Sequence, residues 1–234
     1  LVKGASRGEG LGNKFLGNIR MTDAIVHVVR CFDDENVIHV EGSTDPIRDM
    51  DTIDLELVMA DLEMVERRID KAKKAAKGDK KFLQEAADFE GLRDWLNDGK
   101  SARTYEAVDI AQEYPDCELL SLKPVIYAAN LDEDGFADPH GVEYYRQVEE
   151  RAQAQGAQVI PVCAKLEAEI AELDPEEKKM FLDDLGIAES GLDRLVKASY
   201  SLLGLISYLT SGEDECRAWT IKRGTKAPQA AGKI

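Results

Sequence analysis

The chain has 234 residues, of which 46 are acidic and 30 are basic, so its formal net charge is −16. Hydrophobic residues make up 44% of it, which allows a sizeable core and excludes a chain that is disordered throughout. No apolar run approaches the roughly 20 residues of a membrane-spanning helix, so we expect no membrane contact. The four cysteines form no C-x-x-C pair, which argues against a zinc site and favours a reducing, cytoplasmic compartment.

Both ends of the chain suggest a longer parent protein. Residue 1 is a leucine in a glycine-rich stretch, with no strand-like run before it. The last residue, Ile234, follows soon after a strand-like run at residues 219–221. We therefore expect both ends to be cuts through folded domains.

The first predicted elements are a helix and a strand. Glycines crowd residues 1–18, which indicates a shaped loop, and the spacing of apolar residues from Leu11 to Ile19 predicts a helix. Residues 23–32 then form a nearly continuous β-branched run. This run predicts a buried strand of a parallel sheet.

The next segment changes to a helical period. A heptad-like seam of apolar residues extends from Leu55 to Ala76, is interrupted at Gly78, and is followed by a second helical stretch over residues 82–96. This pattern predicts two antiparallel helices joined by a short turn. A third, weaker helical stretch is predicted over residues 104–113.

The remainder of the chain alternates between strands and helices. Residues 123–130 and 158–163 predict two more buried strands with a helix between them. Further helices are predicted to begin after Asp174 and Ser190, and from Leu205 the pattern changes to strands. The order predicts an α/β fold with a parallel sheet that is interrupted by the helical hairpin.

Basic residues concentrate around the turn of the predicted hairpin. Residues 66–81 contain three acidic side chains and eight basic ones, namely Arg67, Arg68, Lys71, Lys73, Lys74, Lys77, Lys80 and Lys81. Such a run is either a solvated face or a contact for a polyanion such as RNA. Its place at the end of a projecting arm favours the second interpretation.

Two loops at predicted strand ends carry the candidate chemistry. Ligands bind at the carboxyl ends of parallel strands, where GTP-binding proteins place an N-K-x-D loop and an S-A-K loop. The aspartate of the first accepts two hydrogen bonds from guanine, and a backbone N–H of the second donates to the base. The corresponding sequences here are Asn130-Leu131-Asp132-Glu133 and Cys163-Ala164-Lys165.

The first of these loops is altered. Leu131 stands in the lysine position and Glu133 in the aspartate position. The longer carboxylate does not fit the guanine edge, whereas Leu131 still covers a base by apolar contact, so we predict that ATP is favoured over GTP. The alternative interpretation is that Asn130 only caps a turn.

Longer stretches resemble the Obg-related YchF family of P-loop NTPases. They are LVKGASRGEGLGNKFLGNIR, DAIVHVVRCF, KPVIYAANLDEDGF, PVCAKLEAEIAEL and RAWTIKRGTKAPQAAGKI, and the resemblance covers essentially the whole chain. It implies a P-loop NTPase-like α/β domain with an incomplete parallel sheet, an inserted antiparallel helical arm and the start of a β-grasp domain called TGS. We expect residues 1–50 and 118–204 to form the nucleotide-binding domain, 51–117 the arm and 205–234 the start of TGS.

The resemblance also implies an activity. It implies hydrolysis of ATP, and in some members also of GTP, with Mg²⁺, by a ribosome-associated protein. It assigns the base contacts to two loops, with residues Asn130, Leu131, Glu133, Cys163, Ala164 and Lys165. Residues 1–12 correspond to switch II, and Leu1 follows the place where many GTPases carry a catalytic glutamine.

The chain departs from the family pattern in one respect. It contains no G-x-x-x-x-G-K-[ST] sequence, which supplies the phosphate loop and a Mg²⁺ ligand, and the D-x-x-G motif of the family is expected to end just before Leu1. We expect both upstream of Leu1, and we expect the chain by itself to bind nucleotide poorly and to hydrolyse essentially none. Two alternatives stay open: an RNA- or ribosome-binding module with secondary hydrolysis, and a GTP-preferring GTPase.

Overall fold

The computed structural model describes residue 4, residues 12–213 and residues 215–234. Most of the segment predicted as switch II, residues 1–12, therefore lies outside the described residues. The helices and strands, in chain order, are α1 (Gly12–Arg20), β1 (Ile25–Arg30), α2 (Pro46–Ala75), α3 (Phe82–Asn97), α4 (Ile110–Glu113), β2 (Val125–Asn130), α5 (Glu133–Ala137), α6 (Glu143–Ala154), β3 (Gln158–Val162), α7 (Ala164–Ile170), α8 (Pro175–Asp184), α9 (Gly191–Leu202), β4 (Leu205–Ser211), β5 (Cys216–Lys222) and α10 (Ala227–Ala231).

Within these residues, β1, β2 and β3 form a parallel sheet in that order. Side chains of the central strand β2 alternate between its two faces, as a strand requires. Tyr127 and Ala129 pack with α2 and α6 on one face, while Ile126 and Ala128 pack with α9 on the other. The predicted α/β fold class is confirmed, and the buried run of β2 is explained by helices on both faces.

Helix α2 belongs both to the sheet domain and to the projecting arm. It begins at Pro46, nine residues before the predicted seam, because Asp45 caps it by accepting a hydrogen bond from the N–H of Arg48 at 3.0 Å. Its 30 residues span about 45 Å. The first turns pack Met50 against the sheet, and the later turns pack Val65 against α3.

The predicted third helix over residues 104–113 is wrong for most of its length. The structure has a single 3₁₀ turn at Ala102–Thr104 and the one-turn helix α4. Ala102 and Ile110 are both buried in the core of the arm, which holds the intervening segment against α2 and α3. Asp109 then caps only one helical turn.

A fully buried aspartate connects the arm to the segment before β2. The two carboxylate oxygens of Asp61 accept hydrogen bonds from the N–H groups of Leu120 and Ser121, each at 2.7 Å. Burial raises the pKa of Asp61, and the two backbone donors oppose that shift by stabilising the charged form. The side chain therefore holds two consecutive backbone N–H groups of this segment against α2.

A second polar network lies where α2 meets the sheet. Asp54 pairs with Arg103 at 3.1 Å and accepts a hydrogen bond from Gln155 at 3.0 Å. The hydroxyl of Tyr127 donates to Gln155 at 2.7 Å, and the ring of Tyr127 lies 5.4 Å from that of His27. Burial lowers the pKa of His27 to about 4, so this histidine is neutral at pH 7.

The last segment is a β-hairpin that follows α9. Strands β4 and β5 pair antiparallel from Leu205 opposite Lys222 to Ser211 opposite Cys216. Gly204 joins α9 to β4 with a positive φ of 61°, a conformation that favours glycine. Among the described residues, no helix is both long enough and apolar enough to span a bilayer.

We predict that Asp61→Ala lowers the free energy of unfolding by about 2–4 kcal/mol, because it leaves two buried N–H groups without acceptors. Urea unfolding of the chain measures the effect. Asp70→Ala, at an exposed position of the same helix, is the matched control and should change stability by less than about 0.5 kcal/mol. Equal losses in the two variants would contradict the role given to Asp61.

Candidate functional site

The carboxyl ends of the three parallel strands meet at one edge of the sheet. Arg30 of β1 pairs in register with Asn130 of β2, which in turn pairs with Val162 of β3. The loops that follow surround a cavity of about 470 Å³. This size lies within the range of small-molecule sites.

A hydrogen bond joins the two predicted base loops. The side-chain oxygen of Asn130 accepts from the N–H of Ala164 at 2.9 Å, and the N–H of Leu131 donates to the carbonyl of Val162, also at 2.9 Å. The structure therefore brings together all six residues named from the sequence. Asn130 does more than cap a turn, since its partner is 34 residues away.

An ion pair also spans these loops. Lys165 Nζ lies 2.5 Å from Glu133 Oε1, and both side chains are at least half exposed. The hydrogen bond to Glu133 raises the pKa of Lys165. An exposed pair adds little stability, but it occupies one oxygen of the carboxylate that faces the cavity.

Two of the predicted site residues are almost completely buried. Leu131 is 2% exposed and Cys163 is 1% exposed, and both pack in the core beside the sheet. Leu131 lines the cavity but offers a base a smaller apolar contact than the sequence suggested. Burial raises the pKa of Cys163, which keeps its thiol protonated at pH 7.

Besides the loops at residues 130–134 and 163–165, a third segment forms a wall of the cavity, and it was not predicted from the sequence. It comes from the loop after β1 and consists of Phe32, Asp33, Asp34 and Val37. In the sequence, residues 33–36 form only a polar, turn-forming run. The available signal was its position, because it follows the carboxyl end of a parallel strand as the other two loops do.

Negative charge dominates the lining of the cavity. One ammonium group, that of Lys165, faces five carboxylates, namely those of Asp33, Asp34, Asp132, Glu133 and Asp134. This excess disfavours a phosphate at the same place and suits an uncharged ring with amino groups. Within the described ranges, no group of three or more His, Cys, Asp or Glu side chains is arranged to hold a metal ion.

Comparisons with known proteins agree with this fold. A family model described as YchF-GTPase_C, a protein of unknown function (DUF933), matches residues 205–234. The chain is 54% identical over 236 residues to a Bacillus subtilis protein named ribosome-binding ATPase YchF, and 48% identical over 238 residues to the Escherichia coli O157:H7 protein of that name. Each alignment covers the whole of this chain and 64% of the relative.

The chain is also similar to a solved structure of a YchF protein. It is titled as the structure of the Schizosaccharomyces pombe YchF GTPase and matches with a TM-score of 0.84 at 36% identity. The match covers 96% of this chain and 62% of that one. Over its whole length the chain is homologous to YchF proteins.

This homology confirms the resemblance seen in the sequence. The chain spans just under two thirds of the length of the YchF relatives described above. The YchF structure shares the arrangement of this chain over nearly all of its residues, which supports the α/β fold class independently. The contact of the six residues with a nucleotide base stays a prediction.

We predict that Asn130→Ala releases the loop at residues 163–165, because the N–H of Ala164 loses its acceptor. Loss of about 1 kcal/mol corresponds to roughly fivefold faster hydrogen exchange of that N–H, measurable by NMR. Asn130→Asp keeps an acceptor oxygen and is the control. If the N–H of Ala164 exchanges as slowly in Asn130→Ala as in the wild-type chain, the hydrogen bond to Asn130 does not hold this loop.

Proposed function

We propose that the cavity between the three strand ends binds the adenine ring of ATP, and that this chain supplies the base-recognition part of a ribosome-associated ATPase. The observation that carries the proposal is the hydrogen bond between Asn130 and Ala164, because it holds two base loops around one cavity. The names of the relatives, ribosome-binding ATPase and YchF GTPase, support it. Association with ribosomes implies a cytoplasmic location.

The preference for adenine follows from the carboxylate of Glu133. Guanine presents two neighbouring donors, which need both oxygens of one free carboxylate, whereas adenine presents one donor beside one acceptor. Glu133 is held by Lys165 through one oxygen, so a second donor from guanine lacks a partner. The backbone of residues 163–165 and the ring of Phe32 complete the proposed surroundings of the base.

The bound nucleotide supplies the phosphoanhydride that is hydrolysed, with Mg²⁺ as the expected metal. The residues of this cavity bind and orient the base and exclude water from its apolar face. The excess of carboxylates directs the phosphates away from the cavity. We assign no catalytic residue and no Mg²⁺ ligand to the described residues.

We also propose the domain division implied by the family. Residues 1–50 and 118–204 belong to the nucleotide-binding domain, 51–117 to the helical arm and 205–234 to the start of the TGS domain. The match of the family model to residues 205–234 and the hairpin of β4 and β5 support the last boundary. Helix α2 crosses the first one, because its initial turns pack on the sheet.

We predict that Leu131→Lys combined with Glu133→Asp shifts the preference from ATP toward GTP by about tenfold, because a shorter carboxylate meets both donors of guanine. NMR titration with each nucleotide, followed at the amides of Ala164 and Lys165, measures both affinities. Glu169→Asp, at an exposed position of α7, is the control. A wild-type chain that prefers GTP would instead favour the GTPase alternative.

A second candidate function is contact with ribosomal RNA through the tip of the arm. Three of the eight basic residues are neutralised within the chain: Arg68 by Glu85 and Asp116, Lys73 by Glu90, and Lys81 by Asp79. The others have no ion pair in the described part of the chain, namely Arg67, Lys71, Lys74, Lys77 and Lys80. Three of these, at positions 67, 71 and 74, share one face of α2.

We predict that changing Arg67, Lys71 and Lys74 together to Glu weakens ribosome binding by at least about tenfold. The slope of log K against the logarithm of the salt concentration should become less steep by about two, because three cationic contacts are lost. Co-sedimentation at several salt concentrations measures both quantities. Changing the exposed Lys179, Lys222 and Lys233 to Glu alters net charge equally and is the control. If the two triple variants behave alike, the arm tip is not the contact.

A further inference from the structure

We propose that Arg30 is a positioning residue for the base cavity: it holds the loop at residues 32–37 in the shape that forms the third wall. The inference rests on the proposed function only where it concerns nucleotide binding. Its geometric part concerns the loop itself. Nothing in the sequence pattern singled out this arginine, which ends a run of β-branched residues.

The side chain of Arg30 gathers three backbone carbonyls of the loop. Its Nε donates to Phe32 at 3.0 Å, its Nη1 to Val37 at 2.7 Å and its Nη2 to Asp34 at 3.2 Å. The guanidinium carbon also lies 4.8 Å from the centre of the Phe32 ring. One side chain thus contacts the beginning, middle and end of the wall.

The loop has few other attachments. Its own turn contains hydrogen bonds from the N–H groups of Asn36 and Val37 to Asp34, at 2.8 and 3.1 Å. Tyr144 donates to the carboxylate of Asp33 at 3.2 Å, and Thr44 reaches the carbonyl of Phe32 only at 3.4 Å. Val37 is 45% exposed, so burial does little to hold this segment.

The pairing of β1 with β2 fixes the position of Arg30 itself. Arg30 is the last residue of β1 and lies opposite Asn130, whose carbonyl accepts the N–H of Cys31 at 2.8 Å. Asn130 also braces Ala164. The wall built by Arg30 and the two base loops are therefore aligned through neighbouring positions of the sheet.

Only an arginine suits this role. Its planar guanidinium offers five donors in a fixed fork, whereas the ammonium of a lysine directs three donors from one atom. Arg30 forms no ion pair with a carboxylate among the described residues, and each of its three side-chain nitrogens donates to a carbonyl. Its effect on a nucleotide should therefore pass through the loop and the base rather than through the phosphates.

The test compares Arg30→Ala and Arg30→Lys with Arg93→Ala, an arginine on α3 that pairs with the neighbouring Asp94. Two quantities are measured by NMR on the chain: hydrogen exchange of the Asn36 and Val37 amides, and the affinities for adenosine and for ATP. We expect both Arg30 variants to exchange faster. We expect Arg30→Ala to weaken adenosine and ATP binding by the same factor, about tenfold, while Arg93→Ala changes neither quantity.

Several outcomes overturn the proposal. Unchanged exchange in both Arg30 variants shows that Arg30 does not hold the loop, and a loss confined to ATP shows that it acts on the phosphates. If Arg30→Ala does not fold, Arg30→Lys carries the same comparison. If the wild-type chain binds neither adenosine nor ATP, the proposed base site is wrong, and the exchange data alone decide whether Arg30 holds the loop.

Discussion

The parallel pairing of β1, β2 and β3 is the constraint on which the candidate site depends. Because the strands run in one direction, their last residues, Arg30, Asn130 and Val162, lie at the same edge of the sheet, although they are far apart in sequence. The hydrogen bond from Ala164 to Asn130 then fixes two of the loops relative to each other. Without that register, the loops that line the cavity would not lie next to one another.

The arm is built onto the same sheet by buried polar contacts. Asp54 meets Arg103 and Gln155 at the base of α2, and Asp61 binds the backbone just before β2. Burying a carboxylate costs free energy unless its hydrogen-bond partners are in place. Each of these carboxylates therefore favours the one arrangement of arm and sheet that supplies those partners. A single helix thereby connects the neighbourhood of the cavity to the basic tip.

Charge is distributed in a way that suits two different partners. The cavity is lined by five carboxylates and one lysine, which disfavours phosphate there and is compatible with a neutral base. The tip of the arm carries five basic side chains that have no ion pair with any of the residues described in the structure. A polyanion would therefore meet the tip, while the acidic remainder repels it elsewhere, since the chain as a whole has a net charge of −16.

The sequence by itself determined the strands, the hairpin arm, the helix starts at Asp174 and Ser190 and the positions of the two candidate base loops, because periodicity and caps are local properties. It also carried the family resemblance. Only the tertiary structure decided the third wall held by Arg30, the pairing of Glu133 with Lys165 and the burial of Leu131. These depend on which strands lie side by side and on contacts between distant residues, which no local pattern specifies.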